Sequence, residues 1–196
     1  MILYFDTETT GLHPGQICQL SYIMQDGDKL SARNIFFTVD QMDYGAECLH
    51  GFSMEKLRIL SGGKRFKDFI DVIEKDFLSA DVVVSHNFAF DSMFMRAEFE
   101  RLGRVFKTKK EFCSMKASTP LCKLKRSRGD GYKYPKLSEL CEYFDIDNYK
   151  ILSASSNIFG SKTGFHDARF DTTAVLLAMN KGMDEYGEYG DVAEFL

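Results

Sequence analysis

The chain has 196 residues, 44% of them hydrophobic and 28% charged, which fits one soluble domain large enough to build its own core. Its five cysteines are scattered without a CxxC pair, so no zinc site or disulfide framework is indicated, and reduced thiols in a cytoplasmic protein are expected. No apolar run approaches the roughly 18 residues of a membrane span, and the apolar start before Asp6 lacks the basic region and cleavage site of a signal peptide.

Residues 2–5 (ILYF) read as a short buried strand that runs straight into Asp6 and Glu8. Side chains alternate along a strand, so the two carboxylates are expected on one side. Held that close, they raise each other's pKa unless a cation lies between them. Residues 16–26 and 29–39 carry strand character, with Gly27 and Asp28 as a tight hairpin turn. A helix is predicted over 53–60 with Ser53 as its N-cap, ended by the glycines of SGGKRF. Over 66–78, Phe66, Phe69, Ile70, Ile73 and Phe77 share one face and predict a single amphipathic helix. VVVSH (82–86) reads as a second buried strand, and 90–102 as a helix closed by Gly103.

Between 104 and 136, eleven Lys and Arg stand against two acids, a local +9 in a chain of net charge −4. This segment is expected to be loop-rich around SRGDGYKYP and to track the phosphates of a nucleic acid. Pro135 opens a helix over KLSELCEYF, and 165–179 holds the last strong helix. The domain is expected to span 1–182, with 183–196 as a short polar tail. There is no internal repeat, low-complexity tract or linker. Hairpin strands followed by alternating helices and strands predict a mixed-sheet α/β domain.

Two further acids stand out. Asp91 lies where a helix begins after a buried strand, a place that the helix dipole favours for purely structural reasons as well. Asp171 follows His166 by five residues, which turn a helix through about 140° net. His166 is therefore expected on the glycine-containing loop before the last helix, free to approach Asp171.

DTETTGL at 6–12, SHNFAFD at 85–91 and HDARFDTTA at 166–174 resemble, in order and rough spacing, the three exonuclease motifs of the DEDDh family. That family includes the proofreading epsilon subunit of bacterial DNA polymerase III and ribonuclease T. LHGFS (49–53) and PKLSELCEYFDI (135–146) extend the resemblance over nearly the whole chain. It implies a ribonuclease-H-like fold, a mixed five-stranded sheet flanked by helices whose first three strands are antiparallel. It also implies Asp6, Glu8, Asp91 and Asp171 as carboxylates for two divalent ions, Mg²⁺ or Mn²⁺, and His166 as general base. One ion is expected on Asp6, Glu8 and Asp171, the other largely on Asp6 and the substrate phosphate, with Asp91 acting directly or through water. Asp167, four residues before Asp171, stands where the sister DEDDy group carries tyrosine.

By the same resemblance, Thr9, Thr10, Gly11 and Leu12 border the terminal nucleotide, with Leu12 as a wedge between bases. His50 and Phe52 are placed against the terminal base or ribose, with core packing as the competing reading. His86 and Asn87 are expected to support the site, and His13 to lie on the surface. The activity implied is 3′–5′ exonucleolytic cleavage at single-stranded DNA ends, releasing nucleoside 5′-monophosphates. Exoribonuclease or oligoribonuclease activity, and a non-catalytic nucleic-acid-binding module, are the alternatives. Nucleic acid is the expected partner, not a membrane, with proofreading or repair as the setting. The tail carries no recognisable polymerase-docking segment, which favours a standalone enzyme or one recruited by a polymerase or repair complex through its surface.

Overall fold

The computed structural model describes residues 1–164 and 166–195. Its centre is β1 (Ile2–Thr9), which pairs antiparallel with β2 (Ile17–Asp26) and parallel with β4 (Val82–Ser85). β3 (Lys29–Phe36) adds antiparallel to β2, and β5 (Glu111–Cys113) adds parallel to β4, giving the order β3-β2-β1-β4-β5. The expected mixed five-stranded sheet with three antiparallel leading strands is therefore present.

Strand parity sorts the core into two layers. Ile2, Tyr4, Val82 and Val84 pack under α6 (Leu137–Tyr143), α7 (Asn148–Phe159) and α8 (Ala168–Tyr186). Leu3, Phe5 and Val83 face the opposite side, against α3 (Ile70–Ser79) and α4 (Phe88–Arg101). β1 is apolar at every position from Ile2 to Phe5 because both faces of a central strand are covered. Two short helices, α1 (Tyr44–His50) and α2 (Met54–Leu60), close the end of β1 with a small cluster of Cys18, Val39, Phe52 and Leu57. Among the described residues no helix is long and apolar enough to cross a membrane.

Several elements depart from the sequence reading. The helix expected over 66–78 is a 3₁₀ turn (Phe66–Asp68) followed by α3, because the Asp68 carboxylate accepts from Arg65 N at 2.7 Å and caps a separate turn. The helix expected from 90 starts at Phe88, after Asn87 takes the left-handed conformation at φ 74°. That expected over 165–179 runs from Ala168 to Tyr186, and Phe165 lies outside the described residues. The basic stretch contains β5 and α5 (Ser114–Cys122), the latter despite Pro120. The boundary expected at Gly182 falls inside α8. Beyond α8, Tyr189 and Val192, next to and within the one-turn α9 (Gly190–Ala193), are buried in the same core layer.

Candidate active site

Parity along β1 builds the site. Asp6 and Glu8 continue the side of Ile2 and Tyr4, so they emerge beneath α8, whose first turn carries Asp171. The carboxylate oxygens of Asp6, Glu8 and Asp171 lie within 4.8 Å of one another. None of the three side chains has a hydrogen bond or ion pair among the described residues. The register of β1 against β2 slips between Glu8 and Thr9, and such a bulge bends the strand and re-aims its side chains.

Thr7 points the other way and meets Asp91, which comes from the opposite layer on α4. Asp91 is 2% exposed and accepts from Thr7 Oγ1 at 2.8 Å and Ser85 Oγ at 3.1 Å. It stands outside the three-acid group, close enough for its charge to bear on Asp6 and Glu8. The fourth acid is thus anchored by hydroxyl donors, while the other three face each other.

Burial and mutual repulsion distort the acidity of this group. Asp6 is held well above the usual carboxylate range by burial, then by Asp91, Asp171 and Glu8. Burial together with Asp171, Asp167 and Asp91 pushes Glu8 up to about 9. Asp171 rises to about 6, with burial outweighing the nearby His166 imidazole. Asp91 rises to about 7, with burial outweighing the donors Thr7 and Ser85. Uncompensated carboxylates at such separations call for a positive charge, and an all-oxygen donor set suits hard divalent cations.

His166 is exposed on the loop before α8, at φ 55°. The next residue, Asp167, caps α8 by accepting from Arg169 N at 3.0 Å. Arg169 also grips the Asp167 carboxylate with two side-chain nitrogens, at 2.9 and 2.5 Å, and reaches Ser161 Oγ at 2.7 Å. Gln19 of β2 completes the lock. Its Nε2 donates to Asp167 Oδ1 and its Oε1 accepts from Ala168 N. Burial works to raise Asp167, yet the bonds from Arg169 and Gln19 prevail and hold it below its ordinary value. The sequence reading gave these residues no part. An Asp directly before a helical pattern, with Arg two residues on, is the signal that was available.

The remaining predicted contacts divide by burial. Leu12 projects, 79% exposed, beside Gly11. A side chain at Gly11 would put its Cβ 2.2 Å from Asp43 Oδ2, so the exposed Asp43 carboxylate would have to move aside. Thr9 and Thr10 are buried and hold the turn, Thr9 Oγ1 donating to Gly11 O and Thr10 Oγ1 accepting from Gln16 N. His50 and Phe52 correct the expected base contact. Both are buried, their rings stack on each other at 5.2 Å, and Phe52 also meets Phe36 edge-on. His50 Nδ1 accepts from Phe52 N, which leaves the proton on Nε2, 3.3 Å from Thr9 O. The pair braces the end of β1. Asn87 supplies the left-handed turn before α4 and makes no side-chain cap. His86, with its pKa lowered to about 4 by burial, bridges Ser114 Oγ and Pro135 O. A cleft of about 690 Å³, lined by His166, Asp171, Phe170, Cys141, Ile151 and Lys136 among others, opens beside the acids.

The family RNase_T, described as an exonuclease, matches residues 3–150. The chain belongs to this exonuclease family. Its three motifs, read from the sequence, carry the resemblance to the DEDDh group within that family. No curated protein matches it in sequence. Among 34 matching solved chains is the nuclease domain of 3′hExo, a DEDDh family member, bound to rAMP. That structure is 14% identical, with a TM-score of 0.61 over 94% of this chain and 90% of the other. At this identity the likeness establishes the fold. The family match ends before His166 and Asp171, so the third motif rests on its own residues and their geometry.

Proposed function

We propose that this exonuclease shortens single-stranded DNA from its 3′ end, releasing nucleoside 5′-monophosphates, with His166 as general base beside a carboxylate-held pair of divalent cations. The observation that carries this reading is the group of Asp6, Glu8 and Asp171 oxygens within 4.8 Å, in no ion pair among the described residues. Asp6, Glu8 and Asp171 would hold the cations, Mg²⁺ or Mn²⁺, with Asp91 behind them. Bound there, the cations supply Lewis-acid charge that activates water and offsets negative charge on the phosphate. A ring nitrogen of His166 takes the proton of the attacking water. Exposure leaves that imidazole open to solvent water, while the Asp167 cap places it at the start of the helix that carries Asp171. The Thr9–Leu12 turn borders the terminal nucleotide, and Leu12 reaches between the last two bases.

A second reading, the same reaction on RNA, is favoured by the 3′hExo domain, whose structure holds rAMP. A time course on matched 5′- and 3′-labelled DNA and RNA oligonucleotides, with magnesium, manganese or chelator, tests both. Expected are 5′-labelled ladders that shrink one nucleotide at a time, labelled mononucleotide from the 3′ end, silence in chelator and faster loss of DNA. His166→Ala should lower kcat by roughly 10²–10⁴-fold, and Asp171→Asn should abolish turnover with an unaltered circular dichroism spectrum. Internal cutting, or turnover that survives chelation, would overturn the mechanism. Faster loss of RNA would replace the first reading by the second.

A further inference from the structure

The basic stretch divides into two parts with different neighbours. In the first, Arg104 pairs with Asp71 and Glu74, Lys109 with Asp81, and Lys110 with Glu194. Those charges are neutralised by the body of the domain, whereas Lys107 and Lys116 stand exposed and apart from each other along the chain, in no ion pair among the described residues. In the second, residues 123–136, six Lys and Arg stand against the single acid Asp130, and only Lys133 finds a carboxylate, Glu139. Lys123, Lys125, Arg126, Arg128 and Lys136 are exposed and in no ion pair among the described residues.

This second part is a shaped arm. Lys125 and Tyr132 form an antiparallel bridge, Lys133 N donates to Leu124 O at 2.8 Å, and Arg126 Nε donates to Tyr132 O at 3.1 Å. Gly129 and Gly131, at φ 78° and 91°, turn the tip. Tyr132 and Tyr134, 42% and 57% exposed, sit two residues apart on the returning leg. The arm is rooted at the site. Pro135 is buried with its carbonyl bound to His86 Nε2 at 3.0 Å, and Lys136 lines the same cleft as His166 and Asp171.

We propose that this hairpin holds the single strand upstream of the nucleotide being removed. Lys123, Lys125, Arg126 and Arg128 contact its phosphates, and Tyr132 and Tyr134 offer rings to its bases. Unpaired cations interleaved with exposed aromatic rings suit a strand whose bases are free to stack, and such binding is tolerant of sequence. The inference rests on the proposed cleavage at a 3′ end, because upstream is defined from that end. It sets a length preference. A 20-nucleotide strand has phosphates to spare for the arm, whereas the one phosphate of an unphosphorylated dinucleotide lies at the reaction centre.

Two measurements test it. The first is fluorescence anisotropy of a labelled 20-nucleotide DNA or RNA in chelator, which needs no cleavage. The second is kcat/KM on the 20-mer relative to the dinucleotide. In a variant with Lys123, Lys125, Arg126 and Arg128 changed to alanine, the 20-mer preference should fall at least tenfold. The slope of log affinity against log salt should become shallower by about 0.7 for each phosphate that the variant no longer neutralises. Tyr132→Ala and Tyr134→Ala should each weaken 20-mer binding about fivefold or more. Asp130→Asn should tighten binding, a gain that misfolding cannot produce. The sugar showing the larger loss identifies the strand that the arm serves. An unchanged slope and preference in the four-alanine variant, or no gain from Asp130→Asn, would overturn the arm. A wild-type protein that binds the 20-mer through the arm but never shortens it would count against the cleavage reading alone.

Discussion

Glu8 illustrates how a side chain can be costly to the fold that holds it. Its carboxyl is pushed up to about 9 by burial and by the neighbouring Asp171, Asp167 and Asp91, whereas in an unfolded chain it titrates near its ordinary 4.5. The folded state therefore holds a proton that the unfolded state releases. The resulting stability is complete below about pH 4.5 and is lost as pH rises toward 9. Chelator-treated protein should show a falling Tm across that interval, and Glu8→Gln, which has no charge to bury, should show a shallower fall. Added Mg²⁺ or Mn²⁺ should raise the wild-type Tm most at the alkaline end, because a ligand that binds only the folded state stabilises it. Parallel Tm curves for the two proteins would refute this account of Glu8. The acids were legible one by one from their motifs. Thr7 and Ser85, which satisfy Asp91, were not, since a hydroxyl in a strand carries no sign of what lies across the sheet end.

The decisive element is the start of α8. A helix that begins at Ala168 sets Asp171 in its first turn and leaves His166 on the loop. The apolar pattern alone starts the helix at 165 and would include His166, whereas the angular argument puts His166 before it, and the structure agrees with the second. What holds that loop was hidden, because Gln19 lies 148 residues from Asp167 along the chain. Arg169→Ala should free Asp167 and Ser161 together and loosen the loop that carries His166. The expected result is a drop in kcat of tenfold or more with KM within twofold. A loss confined to KM would show that the clamp serves binding instead. The same dependence on distant partners explains the broken helix at 66–78. Its apolar periodicity was correct, yet the Asp68 cap and the packing of Phe69 on Phe37 separate the first turn from the rest. β5 was missed because three residues carry too little pattern to identify a strand.

Across the whole molecule, the C-terminal residues belong to the layer that supports the site. Tyr189 packs edge-on against Phe144 and Phe112, and its hydroxyl pairs with Ser118. Gly182 makes room for it, since a Cβ there would lie 2.4 Å from Tyr189 Cε2 and 3.1 Å from Phe144 Cζ. Alanine is ordinarily the better helix residue by about 1 kcal/mol. Here Gly182→Ala should instead destabilise by about 1–3 kcal/mol through overpacking, read as a lower midpoint in urea. A higher midpoint would mean that the ring yields freely. This stretch read as a polar tail because its apolar residues are few and follow no single period, and only packing against Phe144 and Phe112 gives them a role.

The sequence by itself determined the family, the strand that carries Asp6 and Glu8, the antiparallel opening of the sheet and the set of acids, because local periodicity and motif spacing are properties of neighbouring residues. Only the tertiary structure decided that Asp6, Glu8 and Asp171 share one face while Asp91 is tied to Thr7 from the other. It also decided that His50 and Phe52 are core, that Asp167 is locked by Arg169 and Gln19, and that five cations of the 123–136 hairpin are left without an ion pair among the described residues. Each of these depends on residues brought together across the sheet from distant parts of the chain, and a carboxylate, ring or cation looks the same in sequence whether its partner is protein or solvent.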